Sequence, residues 1–196
     1  MPQRQAKISR KTNETQIELI LVVDGSGNAE ISTGIGFFDH MLTLFAKHGL
    51  FDLTLKVTGD LQVDFHHTVE DVGICLGQAF RDALGDCSGI TRYASGAIPM
   101  DEALCELAID ISGRPHLTFI HEIPATKVGE FDMELTEEFF TALINNARIT
   151  AHMELVRGRN LHHCAEACFK AMGQILDRAT QIDPRKNGVP STKGLL

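Results

Sequence analysis

Two segments of this 196-residue chain carry adjacent histidines followed by a glutamate: His66-His67-Thr-Val-Glu70 and His162-His163-Cys-Ala-Glu166. On an α-helix, residues four apart share a face, whereas adjacent residues diverge by about 100°. His66 with Glu70, and His162 with Glu166, can therefore each converge on a cation, while His67 and His163 point toward another. Two halves related by an approximate two-fold could share these ligands. One ion would take His66, Glu70 and His163, and the other His162, Glu166 and His67. Two imidazoles and one carboxylate per ion, with no thiolate, disfavour a structural zinc site. The set suits Mn²⁺, Fe²⁺, Co²⁺ or Zn²⁺ with positions left open, and octahedral geometry favours Mn²⁺. One copy of the motif would be a weak signal, because His-rich helix starts are also found on solvated surfaces. The second copy in register makes a ligand set the better reading. His40, within FFDHML, is a further candidate, and its counterpart in the second half falls near Glu137 or Glu138.

The elements that would position these residues also repeat. Residues 15–23, TQIELILVV, alternate as a strand, followed by a turn at residues 24–27 and a short partner ending near Thr33. Apolar residues at three- and four-residue spacing predict a helix over 34–49 with Gly49 as its stop. A strand at 51–57 then leads past Gly59 into a helix from His66 through Leu84. In the second half, 103–111 and 116–121 read as a hairpin around Gly113-Arg114-Pro115. Residues 136–147 read as a helix, TAHMELV (150–156) as a strand, and Gly158 precedes a helix through about Ala179. Gly59 matches Gly158 as HHTVE matches HHCAE, so a duplicated ββαβα unit is the economical reading. The expected fold class is α+β, with helices packed on one face of small, mainly antiparallel sheets. The chain would be one domain, 1–196, made of halves at about 8–92 and 93–182. By composition alone its polar tail, 183–196, reads as a frayed terminus.

Composition narrows the function classes. A formal charge of −8 argues against a nucleic-acid-binding surface, which needs a basic face. No run approaches the roughly 18 apolar residues of a membrane span. The segment MPQRQAKISRKTNET has no apolar stretch behind its basic residues, so it is not a secretory signal and a cytoplasmic location is the default. The five cysteines, an odd number without a CxxC pair, are expected to be reduced and largely buried. Cys164 and Cys168 lie four apart on a helix, where core packing is favoured over metal binding.

The residues resemble the imidazoleglycerol-phosphate dehydratase family in its monofunctional form. RKTNET (10–15), GIGFFDHML (34–42), GDLQVDFHHTVEDVGICLGQA (59–79), ISGRPHL (111–117), FDMELTEEFF (131–140), GRNLHHCAEACFKA (158–171) and PSTKGLL (190–196) carry the resemblance. It implies a fold like domain 2 of ribosomal protein S5. It also implies a hydro-lyase of histidine biosynthesis, two Mn²⁺ per active site, and a 24-subunit homo-oligomer built from trimers. The implied metal ligands are His40, His66, His67, Glu70, His162, His163 and Glu166. Relatives carry a histidine ligand before the second-half Phe-Phe where this chain has Glu138; His152 is the alternative substitute.

The implied reaction removes water from imidazole glycerol phosphate to give imidazole acetol phosphate. A metal-bridged imidazolate would expel the hydroxyl. Glu14 would be the general base, with Glu70 and Glu166 serving the metals at the same catalytic site. His40 and Glu14 would also touch substrate. The phosphate would be held by Arg92, Arg114, Lys170 and Lys193, with hydroxyls from Ser191 and Thr192. That role turns the tail into an ordered, substrate-binding segment, and contacts from a neighbouring subunit fit so small a chain. The rival readings are a dinuclear metal-dependent phosphoesterase and a non-catalytic, metal-binding shell protein.

Overall fold

The computed structural model describes residues 3–196. Strict alternation builds its central strands. In β2 (Thr15–Val22), Ile17, Leu19 and Leu21 are fully buried while Gln16, Glu18 and Ile20 face out. The same period runs through β4 (Asp52–Gly59), β6 (Ala103–Asp110) and β10 (Thr150–Arg157). Each half adds a strand that alternation did not reveal: β1 (Gln5–Lys11) before β2, and β5 (Tyr93–Met100) before β6. Both are sheet edges. β1 turns Lys7 and Lys11 outward, and β5 contains Gly96 and Pro99, residues that only an edge strand tolerates well.

The expected pairing of two short segments is corrected. β7 (His116–Ile120) does not form a hairpin with β6; it runs parallel to β10 on the far side, giving the order β5-β6-β10-β7. Likewise β3 (Ala29–Ser32) pairs in parallel with β4, not with β2, giving β1-β2-β4-β3. Both are crossover units, in which a helix must intervene between parallel strands. The crossover helices are α1 (Gly36–His48) and α3 (Leu135–Ala147), the latter preceded by a two-stranded ribbon, β8 (Lys127–Val128) and β9 (Phe131–Asp132). The Gly-Ser-Gly loop is held to β4 because Asp52 accepts hydrogen bonds from the backbone N–H of Ser26 and Asn28, both at 2.9 Å.

Each half closes with a long helix, α2 (His66–Leu84) and α4 (Leu161–Thr180). The helices cover one face of each sheet and pack back to back, α2 on α3 and α1 on α4, so the halves share one core. Glycines permit these crossings. A Cβ on Gly77 would fall 2.4 Å from Leu143 O, and one on Gly173 would fall 2.4 Å from Phe45 O. Between the layers Phe139 and Phe169 stack at 5.1 Å, with Phe38 edge-on to Phe139 at 5.4 Å. This aromatic block sits beside His40, Glu138 and Glu166 in the chain and fixes the ends that carry them.

The matching Gly59 and Gly158 have a shared cause. A Cβ on Gly59 would lie 2.1 Å from Thr68 Oγ1, and one on Gly158 would lie 2.4 Å from Cys164 Sγ. Thr68 and Cys164 are the residues directly after the two histidine doublets. Strand end and helix start thus meet at van der Waals limits in both halves. Gly59→Ala is expected to destabilise the chain by about 1–3 kcal/mol, the usual cost of overpacking. It should also weaken cation binding, because Thr68, next to His67 in the first turn of α2, must give way. Thermal melts and Mn²⁺ titration check this; unchanged values for both would contradict it.

Candidate metal centre

The doublets occupy the first turns of α2 and α4, and an upstream side chain accepts from the first histidine of each: the N-cap Asn160 in α4 and Asp64, one residue before the N-cap, in α2. Asp64 accepts from His66 N at 2.8 Å, and Asn160 accepts from His162 N at 3.0 Å. With the helix started there, the four-residue spacing acts as expected. His162 Nε2 lies 3.1 Å from Glu166 Oε1, and His40 Nε2 reaches the same oxygen at 3.2 Å. His40, His162 and Glu166 form one group whose ligand atoms lie within 4.8 Å of one another, and His66, Glu70 and Glu138 form a second. Each group takes two residues from a long helix of one half and its third from the crossover helix of the other. His40 and Glu138 are thus pseudo-symmetric mates. His152 is in neither group; it stands on the open face of β10, with its ring 5.5 Å from that of His116.

The second histidine of each doublet turns away, its ring nearly perpendicular to its neighbour's (90° for His66–His67, 84° for His162–His163). His67 Nδ1 lies 3.0 Å from Asp60 Oδ2, and His163 Nδ1 lies 2.7 Å from Glu102 Oε2. The expected grouping of His163 with His66, and of His67 with His162, is therefore not assembled within one chain. Instead each chain presents two imidazoles backed by carboxylates through Nδ1, which is how metal-ligating histidines are commonly oriented. His67 Nε2 is 3.7 Å from Glu14 Oε1, and His163 Nε2 is 4.0 Å from Asp101 Oδ2.

Electrostatics follows from these partners. The Asp60 hydrogen bond raises the His67 pKa, and the Glu102 hydrogen bond raises that of His163. Glu102, bonded to His163 and to the backbone N–H of Asn160, is held down to about 2. Burial pushes Glu166 up, but hydrogen bonds from Lys170, His40 and His162 outweigh it and keep its carboxylate below the usual range. A raised imidazole pKa means that the proton stays on to higher pH, so protons and a cation compete for His67 and His163 there. Cation loading of the chelated protein is expected to rise with pH, because each imidazole must shed its proton to bind. Mn²⁺ titrations between about pH 5.5 and 8.5 test this, and pH-independent loading would contradict it.

The cations foreseen for phosphate do not gather in one chain. Lys170 reaches the first group, with Nζ 2.5 Å from Glu166 Oε2. Arg92 is already paired, Nε to Asp110 Oδ1 at 2.7 Å and Nη1 to Pro190 O at 2.7 Å. Arg114 is 69% exposed and lies 3.8 Å from Asp110. Asp110 ends β6, whereas Glu102, just before β6, holds His163; eight strand residues span roughly 25 Å. Arg92, Arg114 and the tail thus lie at the opposite end of β6 from the His162–His163 doublet. The tail is seated on residues 89–92 through Gly89 N to Gly188 O and the Arg92–Pro190 bond. Its Ser191 Oγ accepts from Lys193 N, and Thr192 and Lys193 are exposed. All five cysteines are free, four of them buried.

Sequence reasoning missed Asp60 and Glu102, which orient the outward histidines, and the buried Asp71–Thr15–Arg10 contacts. Asp60 follows Gly59, but the matching position after Gly158 is Arg159, so comparing the repeats does not expose it.

Fold and site together define a duplicated α+β chain with two imidazole–carboxylate groups, each completed across its pseudo-two-fold and suited to a divalent cation. The imidazoleglycerol-phosphate dehydratase family model matches residues 33–176. The chain belongs to that family. It is 55% identical to the imidazoleglycerol-phosphate dehydratase of Pelobacter propionicus over 98% of this chain and 99% of that one. It is 58% identical to that of Acetivibrio thermocellus with the same coverage. Among solved structures it resembles imidazoleglycerol-phosphate dehydratase from Staphylococcus aureus, with a TM-score of 0.83 and 41% identity over 91% of this chain and 99% of that one. It also resembles IGPD from Pyrococcus furiosus, with a TM-score of 0.83 and 36% identity over 96% and 100% of the two chains.

Proposed function

We propose that this chain is the hydro-lyase of histidine biosynthesis that converts imidazole glycerol phosphate to imidazole acetol phosphate. It would work in the cytoplasm with two Mn²⁺ per active site, within a 24-subunit homo-oligomer built from trimers. The observation that carries this reading is the pair of pseudo-symmetric ligand groups beside two outward imidazoles that their own chain leaves unused. His40, His162 and Glu166 would hold one cation and His66, Glu70 and Glu138 the other, with His67 and His163 reaching the cations of a neighbouring copy. Nitrogen and carboxylate donors without thiolate fit Mn²⁺. When bound, the cations supply Lewis acidity and a template for the imidazole ring.

The remaining work falls to side chains. Glu14, 52% exposed and facing His67, would take the proton from carbon. Lys170 would meet the phosphate from within the site. Arg92, Arg114, Ser191, Thr192 and Lys193, at the far end of β6 in their own chain, would meet it from a neighbouring copy. The separation of histidines from phosphate cations is the reason to expect an obligate oligomer.

The test is chelated protein reloaded with Mn²⁺ and given imidazole glycerol phosphate. An enolisable ketone is expected. Release of inorganic phosphate would indicate a phosphoesterase, and absence of turnover a shell or binding protein. Sedimentation with and without EDTA should show a large particle that falls apart on chelation; a monomer in both conditions would overturn the shared-site reading.

A further inference from the structure

Asp71 is a buried carboxylate, 5% exposed, on α2 directly after the ligand Glu70. It belongs to neither ligand group. Thr15 Oγ1 donates to Asp71 Oδ2 at 2.5 Å, and Arg10 Nη1 forms an ion pair with the same oxygen at 2.5 Å. Thr15 opens β2 and Arg10 lies near the end of β1, so the carboxylate clasps both stems of the turn that carries Glu14. The other side of that turn is held too: Asp60 N donates to Glu14 O at 3.1 Å, and Asp60 is the residue backing His67. Thr12 Oγ1 closes the turn by accepting from Glu14 N and Thr15 N.

The duplicated fold supplies its own control. Arg10 pairs with Ile17 as Ile98 pairs with Cys105, which sets β1–β2 in register with β5–β6. Arg10, Thr15 and Asp71 then correspond to Ile98, Ala103 and Ala167, all buried and apolar. The same backbone arrangement therefore packs well without any polar group at these positions. A buried ion pair is seldom more stabilising than an apolar replacement, so stability does not explain why the first half has one. The turns differ in what they carry. In the second half the carboxylate matching Glu14 is Glu102, which is committed to His163 and two backbone N–H groups. Glu14 makes no such bonds and needs another means of being held.

We infer that Asp71, acting through Thr15 and Arg10, is a positioning residue that fixes the Glu14 turn against the metal centre. This rests on the reading of Glu14 as the base. Carboxylate misplacement by about 1 Å costs on the order of 10²-fold in rate. Thr15→Val, which removes the hydroxyl at constant shape, and Asp71→Asn are expected to lower kcat roughly 10- to 100-fold. KM, Mn²⁺ content and particle size should stay at wild-type values. Thr15→Ser should restore most of the rate.

The deciding measurement is a double-mutant cycle read by single turnover. With Glu14→Gln already present, adding Thr15→Val should cost less than about 2-fold, because the group being positioned is gone. Losses by the same factor in both backgrounds, a fall in Mn²⁺ content, or failure of Thr15→Ser to rescue would each mean a merely structural role and overturn the inference. Wild-type kcat in Thr15→Val and Asp71→Asn, with Glu14→Gln inactive, overturns the positioning role alone. A fully active Glu14→Gln overturns the base assignment instead.

Discussion

Glu166→Gln is expected to abolish turnover, lowering kcat/KM by about 10³-fold or more, and to halve the bound Mn²⁺. The first group depends on this one carboxylate: Oε1 meets both His40 and His162, while Oε2 is bonded to Lys170. The amide keeps the shape but loses the charge that balances a cation, and Lys170, largely buried beside it, then opposes the cation unneutralised. Removing several kcal/mol of Lewis-acid stabilisation corresponds to that rate loss. The second group, on α2 and α3, is left intact, so half the cation should remain. Glu138→Gln should empty the other group by the same logic. Metal analysis of purified protein together with the turnover assay decides; full occupancy in Glu166→Gln would remove this group from the metal centre.

The central strands, the four helices and the duplication were legible because burial there follows a period of two or of 3.6 residues, as Ile17, Leu19 and Leu21 illustrate. The edge strands β1 and β5 were not, since an edge needs little apolar pattern and β5 contains a proline. Which segments pair was also hidden. Four residues between 111 and 116 suggest a hairpin, but the partner of β7 is β10, more than thirty residues away, chosen by the crossover helix α3. At the site, the i, i+4 pairs could be read directly, because the helix that makes them is local. Placing His40 beside Glu166 depends on the α1–α4 crossing at Gly173, which no local pattern encodes. The orientation of His67 and His163 depends on Asp60 and Glu102, two carboxylates in turns whose side-chain directions spacing does not specify.

That same distinction between committed and uncommitted carboxylates carries the second large effect. Around the centre Asp60 is bonded to His67, Glu102 to His163, and Glu166 to His40, His162 and Lys170. Glu70 and Glu138 belong to a ligand group. Asp101 lies 4.0 Å from His163 Nε2, but Glu14 comes closer to an imidazole, 3.7 Å from His67 Nε2, with no side-chain hydrogen bond among the described residues, and a base must keep its lone pair free for the proton it removes. Glu14→Gln is therefore expected to lower kcat by about 10²–10⁴-fold, the range of a lost general base, with KM and Mn²⁺ content unchanged. It should also end exchange of the substrate's carbon-bound proton with solvent deuterium, which loss of a binding contact alone would not do. Glu14→Asp, with its carboxylate withdrawn by one methylene, should fall between the two. Retention of turnover within tenfold of wild type by Glu14→Gln would mean that the proton leaves by another route, and the turn clasped by Asp71 would then have no catalytic group to place.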